Sequence, residues 1–190
     1  MKKKLKKGFT LVELVIVIAV IAILSAILIP TFGNVINNAK ESAAKSEVSN
    51  AITQYTTNQA QNNLSADLPD GYIVLLKDEK TVSGTDAYKA YVDGNTSNIS
   101  YVFSYNKGKL EMVKHSAETF EAGDNNHLLL TIEGVTGAVK LKINGLTPSD
   151  DGKTWTANGT VVLDGTVKGA AKPYTISGKI VLLTEVTTTP

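Results

Sequence analysis

Apolar and polar positions alternate in two different ways along this chain. From Phe9 to Ile29 the sequence reads FTLVELVIVIAVIAILSAILI, a run of 21 residues interrupted only by Thr10, Glu13 and Ser25. As a helix it would span about 32 Å, close to the ~30 Å hydrocarbon core of a bilayer. From Phe32 onward the pattern becomes amphipathic. Phe32, Val35, Ile36, Ala39, Ala43, Val48, Ile52 and Tyr55 recur mostly at three- and four-residue steps, with Lys40, Glu41, Lys45 and Glu47 between them. One helix from about Phe9 to about Ala60 is expected, roughly 78 Å long at 1.5 Å per residue. Pro30 removes a backbone donor and Gly33 adds weakness, so a kink or local opening is expected there. A membrane helix followed by a separate soluble helix, broken between Pro30 and Gly33, is the alternative. Residues 9–30 then form the membrane segment and 31–60 its amphipathic continuation.

Helical periodicity ends in Gln59-Ala60-Gln61-Asn62-Asn63 and Asp67-Leu68-Pro69-Asp70-Gly71. Beyond it the chain turns to Thr, Val, Ile, Tyr and Gly. Strands are predicted over Tyr72–Leu76, Ser100–Tyr105, Lys109–Val113, Leu128–Glu133, Ala138–Ile143, Thr160–Leu163 and Tyr174–Leu183. Turn dipeptides such as Asp93-Gly94, Asn144-Gly145, Asp151-Gly152, Asn158-Gly159 and Asp164-Gly165 separate them, and Asn106-Lys107-Gly108 marks a hairpin. A short helix is expected over Thr85–Val92. The fold class is therefore α+β: a long N-terminal helix packed on a mainly antiparallel β domain over residues 61–190, large enough for its own core.

Charge sharpens the N-terminal reading. The 19 basic residues are all Lys, and five of them (Lys2, Lys3, Lys4, Lys6, Lys7) precede the apolar run; the remaining fourteen face 18 acidic residues. By the positive-inside rule the N-terminus stays in the cytoplasm and the rest is exported. A cleaved secretory signal is disfavoured: the run is longer than the usual 7–15 residues, and Ile27-Leu28-Ile29-Pro30-Thr31 offers no small-x-small site. The absence of Arg argues against bidentate readout of phosphate or guanine, so no direct nucleic-acid site is recognised. With no Cys, disulfides, thiolate metal sites and cysteine nucleophiles are excluded.

The remaining chemistry is thin. His115 and His127 flank Glu118, Glu121 and Asp124 without the short ligand spacings of zinc sites. Asp124-Asn125-Asn126 and Asp150-Asp151-Gly152 are oxygen-rich but lack the spacing of a calcium loop, and acidic turns account for them. Asn63, Asn95, Asn98 and Asn158 each begin an Asn-x-Ser/Thr triplet; chance accounts for these in a Ser/Thr-rich chain, and no glycan is assigned. No nucleophile elbow, phosphate loop or dinucleotide fingerprint occurs, so no catalytic residue, cofactor or metal is assigned and an enzyme is not expected.

Glu13 is the anomaly. A carboxylate inside a membrane helix costs on the order of 3 kcal/mol at the centre, less near the interface, and calls for a partner. Its helical neighbours Phe9 and Val17 are uncharged, so a counter-charge must come from another molecule or a newly made chain terminus. A helix-start glutamate at the lipid surface, reaching water, is the plainer alternative.

Lys6-Lys7-Gly8-Phe9-Thr10-Leu11-Val12-Glu13-Leu14, a basic leader followed in register by Gly, Phe, Thr and Glu and a long apolar run, resembles the processing site of type IV prepilins and pseudopilins. The resemblance covers about the first 40 residues. It implies a leader over residues 1–8, cut by a prepilin peptidase between Gly8 and Phe9, with N-methylation of Phe9. It implies that Thr10 and Glu13 serve assembly, Glu13 neutralising the terminal amine of a neighbouring subunit. Pro30 falls where many pilins carry a helix-perturbing proline. The implied partners are further copies of the chain in a helical homopolymer, the membrane before assembly, the peptidase, a platform protein and an ATPase. The implied location is a single pass through the cytoplasmic membrane, then an extracellular pilus serving adhesion, motility or DNA uptake. Two rivals stand beside this: a pseudopilin of a type II secretion or competence machine, and a membrane-tethered extracellular binding module.

Overall fold

The computed structural model describes residues 8–65, 67–84, 90–91, 94–95, 97–114, 119–122, 128–132, 135–148, 155–157, 166–168 and 174–186. The lysine leader, His115, Glu118, Asp124–His127, Asp150–Gly152, the strand expected over Thr160–Leu163 and the turns at Asn158-Gly159 and Asp164-Gly165 lie outside the described residues. So does most of the short helix expected over Thr85–Val92, of which Ala90 and Tyr91 are described and helical.

Among the described residues one long helix, α1 (Leu11–Gln61), precedes ten strands. It is helical through Pro30 and Gly33, so the alternative of two separate helices does not hold. Pro30 has no N–H to give to the carbonyl one turn earlier. Beside it the Thr31 hydroxyl donates to the carbonyls of Ile27 and Leu28, each at 2.9 Å. The helix ends in a left-handed cap. Asn63 takes φ 53°, Leu64 N–H donates to the Gln59 carbonyl at 2.9 Å, and Asn63 N–H to that of Ala60 at 3.2 Å. This is the Schellman pattern, with Asn in the position usually held by Gly.

By compactness the chain divides into residues 1–42 and 43–190. The first unit is helix alone, its large apolar side chains uncovered from Phe9 to Ile36. The second holds the strands: β1 (Gly71–Gly84), β2 (Ile99–Asn106), β3 (Lys109–Lys114), β4 (Thr119–Ala122), β5 (Leu128–Thr131), β6 (Ala138–Ile143), β7 (Leu146–Pro148), β8 (Trp155–Ala157), β9 (Thr166–Lys168) and β10 (Tyr174–Glu185). They form a curled sheet in the order β3-β2-β1-β10-β6-β5-β4, with β9 also on β10 and a separate β7–β8 pair. Every pairing is antiparallel.

The central pair explains itself. Ile73-Val74-Leu75-Leu76 and Ile180-Val181-Leu182-Leu183 carry the same four residues and lie antiparallel, Ile73 opposite Leu182 and Leu75 opposite Ile180. Both runs are apolar throughout because both faces of the sheet are covered there. One face (Ile73, Leu75, Phe103, Ile180, Leu182) packs under Ala44, Val48 and Ala51 of the helix. The other (Val74, Leu76, Val102, Val181, Leu183) packs with Leu128, Leu130, Leu141 and Ile143 in a second core. Gly71 is required at the sheet end: a Cβ there would run into the Leu183 carbonyl. The expected hairpin is present. Lys107 and Gly108 link β2 and β3 with φ 47° and 82°, the positive pair of a type I′ turn.

Two expectations are corrected. The helix stripe that meets the sheet is Ala44, Val48 and Ala51, with Ile52 and Tyr55 beside it, whereas Ala43 is exposed. Steps of four and three from Val48 reach Ala44 and Ala51, whose short side chains share one core with Phe103 and Leu182. The first strand does not stop at Leu76 but runs to Gly84. Its charged stretch from Lys77 to Lys80 coincides with a break in register against β10, beyond which pairing resumes at Lys80 opposite Gly178. Asn98 holds that break: its side chain accepts from Asp78 N–H at 3.3 Å and donates to the Asp78 carbonyl at 2.8 Å, while its carbonyl accepts from Lys77 N–H at 2.8 Å.

Candidate functional site

The N-terminal site is built from the first turn of α1. Gly8 has open space around its Cα, and Phe9 is 82% exposed. Thr10 stands immediately before the helix. Glu13 N–H donates to Thr10 Oγ1 at 3.2 Å. In return Glu13 Oε2 accepts from Thr10 N–H at 2.8 Å and from the Thr10 hydroxyl at 2.7 Å. Leu14 N–H closes the first helical bond on the Thr10 carbonyl at 3.2 Å.

This reciprocal arrangement is a capping box, Thr at the cap and Glu three residues on. It occupies donors that a helix start otherwise leaves without partners. The signal was present in the sequence as Thr10-x-x-Glu13 ahead of an apolar run, but attention to the carboxylate as an intramembrane charge passed over it. Structure thus gives Glu13 a local partner that is neutral. Among the described residues no cation pairs with it; Lys109 pairs with Glu111 between strand residues, and Lys179 of β10 pairs with Glu47 of the helix. Oε2 is engaged by Thr10, and Oε1 carries no bond among the described residues.

Behind this cap, Leu11 to Ile29 present apolar side chains to every side with none of them deeply buried. α1 is long and apolar enough to cross a membrane, and no other helix among the described residues is. Pro30 and Gly33 lie inside the helix, and Gly33 has nothing around it that an added Cβ would meet. Elsewhere, no group of three acidic or histidine side chains suited to a metal occurs among the described residues. Asn95 and Asn98 are buried: Asn95 Nδ2 donates to the Tyr91 carbonyl at 2.7 Å, and Asn98 Nδ2 to Asn95 Oδ1 at 2.9 Å. Their amides serve the fold.

A capped, membrane-length apolar helix followed by a curled antiparallel sheet defines an α+β fold. Comparison with known proteins makes this specific. Residues 3–29 match the prokaryotic N-terminal methylation motif. Over 55 residues, 29% of this chain and 35% of the relative, the sequence is 47% identical to a type IV major fimbrial protein FimA of Dichelobacter nodosus. Over 65 residues, 34% of this chain and 42% of the relative, it is 42% identical to a fimbrial protein of Moraxella nonliquefaciens. The chain thus spans about a third to two fifths of the curated relatives it matches. No solved structure matches. The N-terminal region thus carries the prokaryotic N-terminal methylation motif, and the chain is similar in part to type IV fimbrial proteins.

Proposed function

We propose that this chain is a type IV pilin subunit that polymerises into an extracellular surface filament. The observation that carries the proposal is the conjunction of the motif with an uncovered apolar helix. Around twenty consecutive apolar residues cannot stay in water: at ~25 cal/mol per Å² their exposure costs tens of kcal/mol. Lipid covers them before assembly, and the helices of other copies cover them afterwards. The leader over residues 1–8 is removed by a membrane peptidase between Gly8 and Phe9, and the amine of Phe9 is then methylated. In this reading Glu13 of one subunit meets the Phe9 ammonium of the next. Two charges that are each costly in a low-dielectric core become tolerable as a pair. Thr10 keeps the Glu13 carboxylate at the end of the helix, with Oε1 available to that incoming amine. Pro30 and Gly33 provide the place where the helix bends on packing. A platform protein and an ATPase drive extraction from the membrane, and the β domain faces solvent on the filament.

The test is Glu13→Ala beside Glu13→Gln. Filament yield is expected to collapse in both while membrane insertion and processing persist. Normal filament yield in either variant contradicts the pairing. Loss of insertion as well would assign Glu13 to the helix start alone.

A further inference from the structure

The two central strands of the sheet are written in one code. Ile73-Val74-Leu75-Leu76 of β1 recurs as Ile180-Val181-Leu182-Leu183 of β10. Their register sets Ile73 opposite Leu182, Val74 opposite Val181 and Leu75 opposite Ile180. A second copy of β1, laid antiparallel and centred on Val74, reproduces the same pairs. Ile73 then meets Leu75 of the second copy, Val74 meets Val74, and Leu75 meets Ile73. The faces are kept as well. Ile73 and Leu75, like Ile180 and Leu182, belong to the core under the helix, whereas Val74 and Val181 belong to the second core. Cross-strand pairs and facial pattern fix a strand's partner and register. Over these residues neither distinguishes β10 from another β1.

Chain order makes the alternative reachable. β10 is the last strand among the described residues, yet it lies between β1 and β6. The apolar pairs it makes with β1 join residues more than a hundred apart in sequence, and pairing over such separations is slow. Until β10 arrives, β1 offers an apolar edge, the kind that recruits other chains. Its flanking charges limit the result. Extended outward from Val74, self-pairing would set Asp78 against Asp70, a like-charge pair. β10 instead continues past the break in register and pairs again from Lys80 to Gly84. Self-pairing is therefore the shorter of the two, and β10 wins in a dilute chain.

We propose that a second copy of this chain pairs with β1 through the same strand, giving a two-fold antiparallel dimer that competes with insertion of β10 when copies are concentrated. A two-fold interface uses one patch on both copies, and a strand complementary to itself meets that condition. The balance between dimer and monomer follows chain concentration.

The chain has no Cys, so a single introduced cysteine reports the pairing cleanly. Full-length Val74→Cys is refolded from urea into micelles with oxidised glutathione present. Val74 is fully buried in the folded chain. Self-pairing places it opposite its own copy at about 4.5–5.5 Å between Cα atoms, within reach of a disulfide. Leu76→Cys is the control. It is equally buried in the same core, but lies about 13 Å along the strands from its own copy in that pairing. Disulfide-linked dimer of Val74→Cys is expected to rise about tenfold between about 5 µM and about 500 µM chain. Leu76→Cys should give at most about a fifth as much, its sulfurs being out of reach. The double variant Val74→Cys, Val181→Cys should close its disulfide within one chain at the lower concentration, as the native register requires. If Val74→Cys does not fold, Ile73→Cys mixed with Leu75→Cys replaces it and should cross-link well above either alone. The proposal is overturned if dimer does not rise with concentration. It is equally overturned if Leu76→Cys links as readily as Val74→Cys, the result of unstructured or parallel in-register association.

Discussion

At the residue scale the most informative pair is Thr10 and Glu13. The carboxylate that looks unaccountable inside an apolar run is half-accounted for by helix capping. Thr10→Ala should therefore weaken the first turn by about 1 kcal/mol, while Thr10→Ser keeps it. Hydrogen exchange at residues 11–14 in micelles would register this as faster exchange in the alanine variant alone; equal protection in both would remove the cap from the account. Tyr72 gives a prediction in pH. Its phenol holds its proton to a higher pH in the folded chain than in the unfolded one. Its contribution is therefore fully present below about pH 10 and is lost as pH rises through the folded value. Urea midpoints measured from pH 8 to 11.5 should fall less steeply in Tyr72→Phe than in the parent. Parallel curves would show that Tyr72 is not the group that titrates.

At the element scale, the helix and six strands (β1, β2, β3, β5, β6 and β10) were legible because their apolar patterns or turns are distinct. The run of apolar residues, the Asn106-Lys107-Gly108 turn and the two Ile-Val-Leu-Leu segments each carry enough periodicity or turn chemistry to fix an element. β4, β7, β8 and β9 were not found: each has only three or four residues and none carries an unbroken apolar run like the Leu128-Leu129-Leu130 of β5, so their pairing depends on partners elsewhere in the chain. The helix stripe was displaced by one residue for a similar reason. Alanine contributes little to an apolar pattern, so Ala43 and Ala44 look alike until the sheet is placed beneath them. The same argument makes a prediction. Ala44→Leu, at a site where the helix meets Phe103 and Leu182, should cost about 1–3 kcal/mol. Ala43→Leu, exposed one position away, should stay within about 0.5 kcal/mol. Chemical denaturation in micelles distinguishes them, and equal costs would place the helix in a different rotation on the sheet.

At the scale of the whole molecule, the N-terminal methylation motif was legible because it is local and contiguous, whereas the capping bonds between Thr10 and Glu13 were not read from it. The sheet end lined by Tyr72, Tyr105, Lys142 and Glu185 was not legible, because these residues come from four strands that only the sheet order brings side by side. Residues 3–29 carry the methylation motif, and similarity to the fimbrial relatives extends over 55 to 65 residues. The central claim concerns the shared part. It is tested most directly by mass spectrometry of the N-terminal peptide in sheared extracellular material and in washed membranes. A peptide beginning at Phe9, methylated on its amine and abundant in the sheared fraction, is the result expected of a processed filament subunit. The same peptide confined to membranes would contradict the filament role in favour of a pseudopilin. A chain beginning at Met1, or beyond Ile29, would contradict processing between Gly8 and Phe9 altogether.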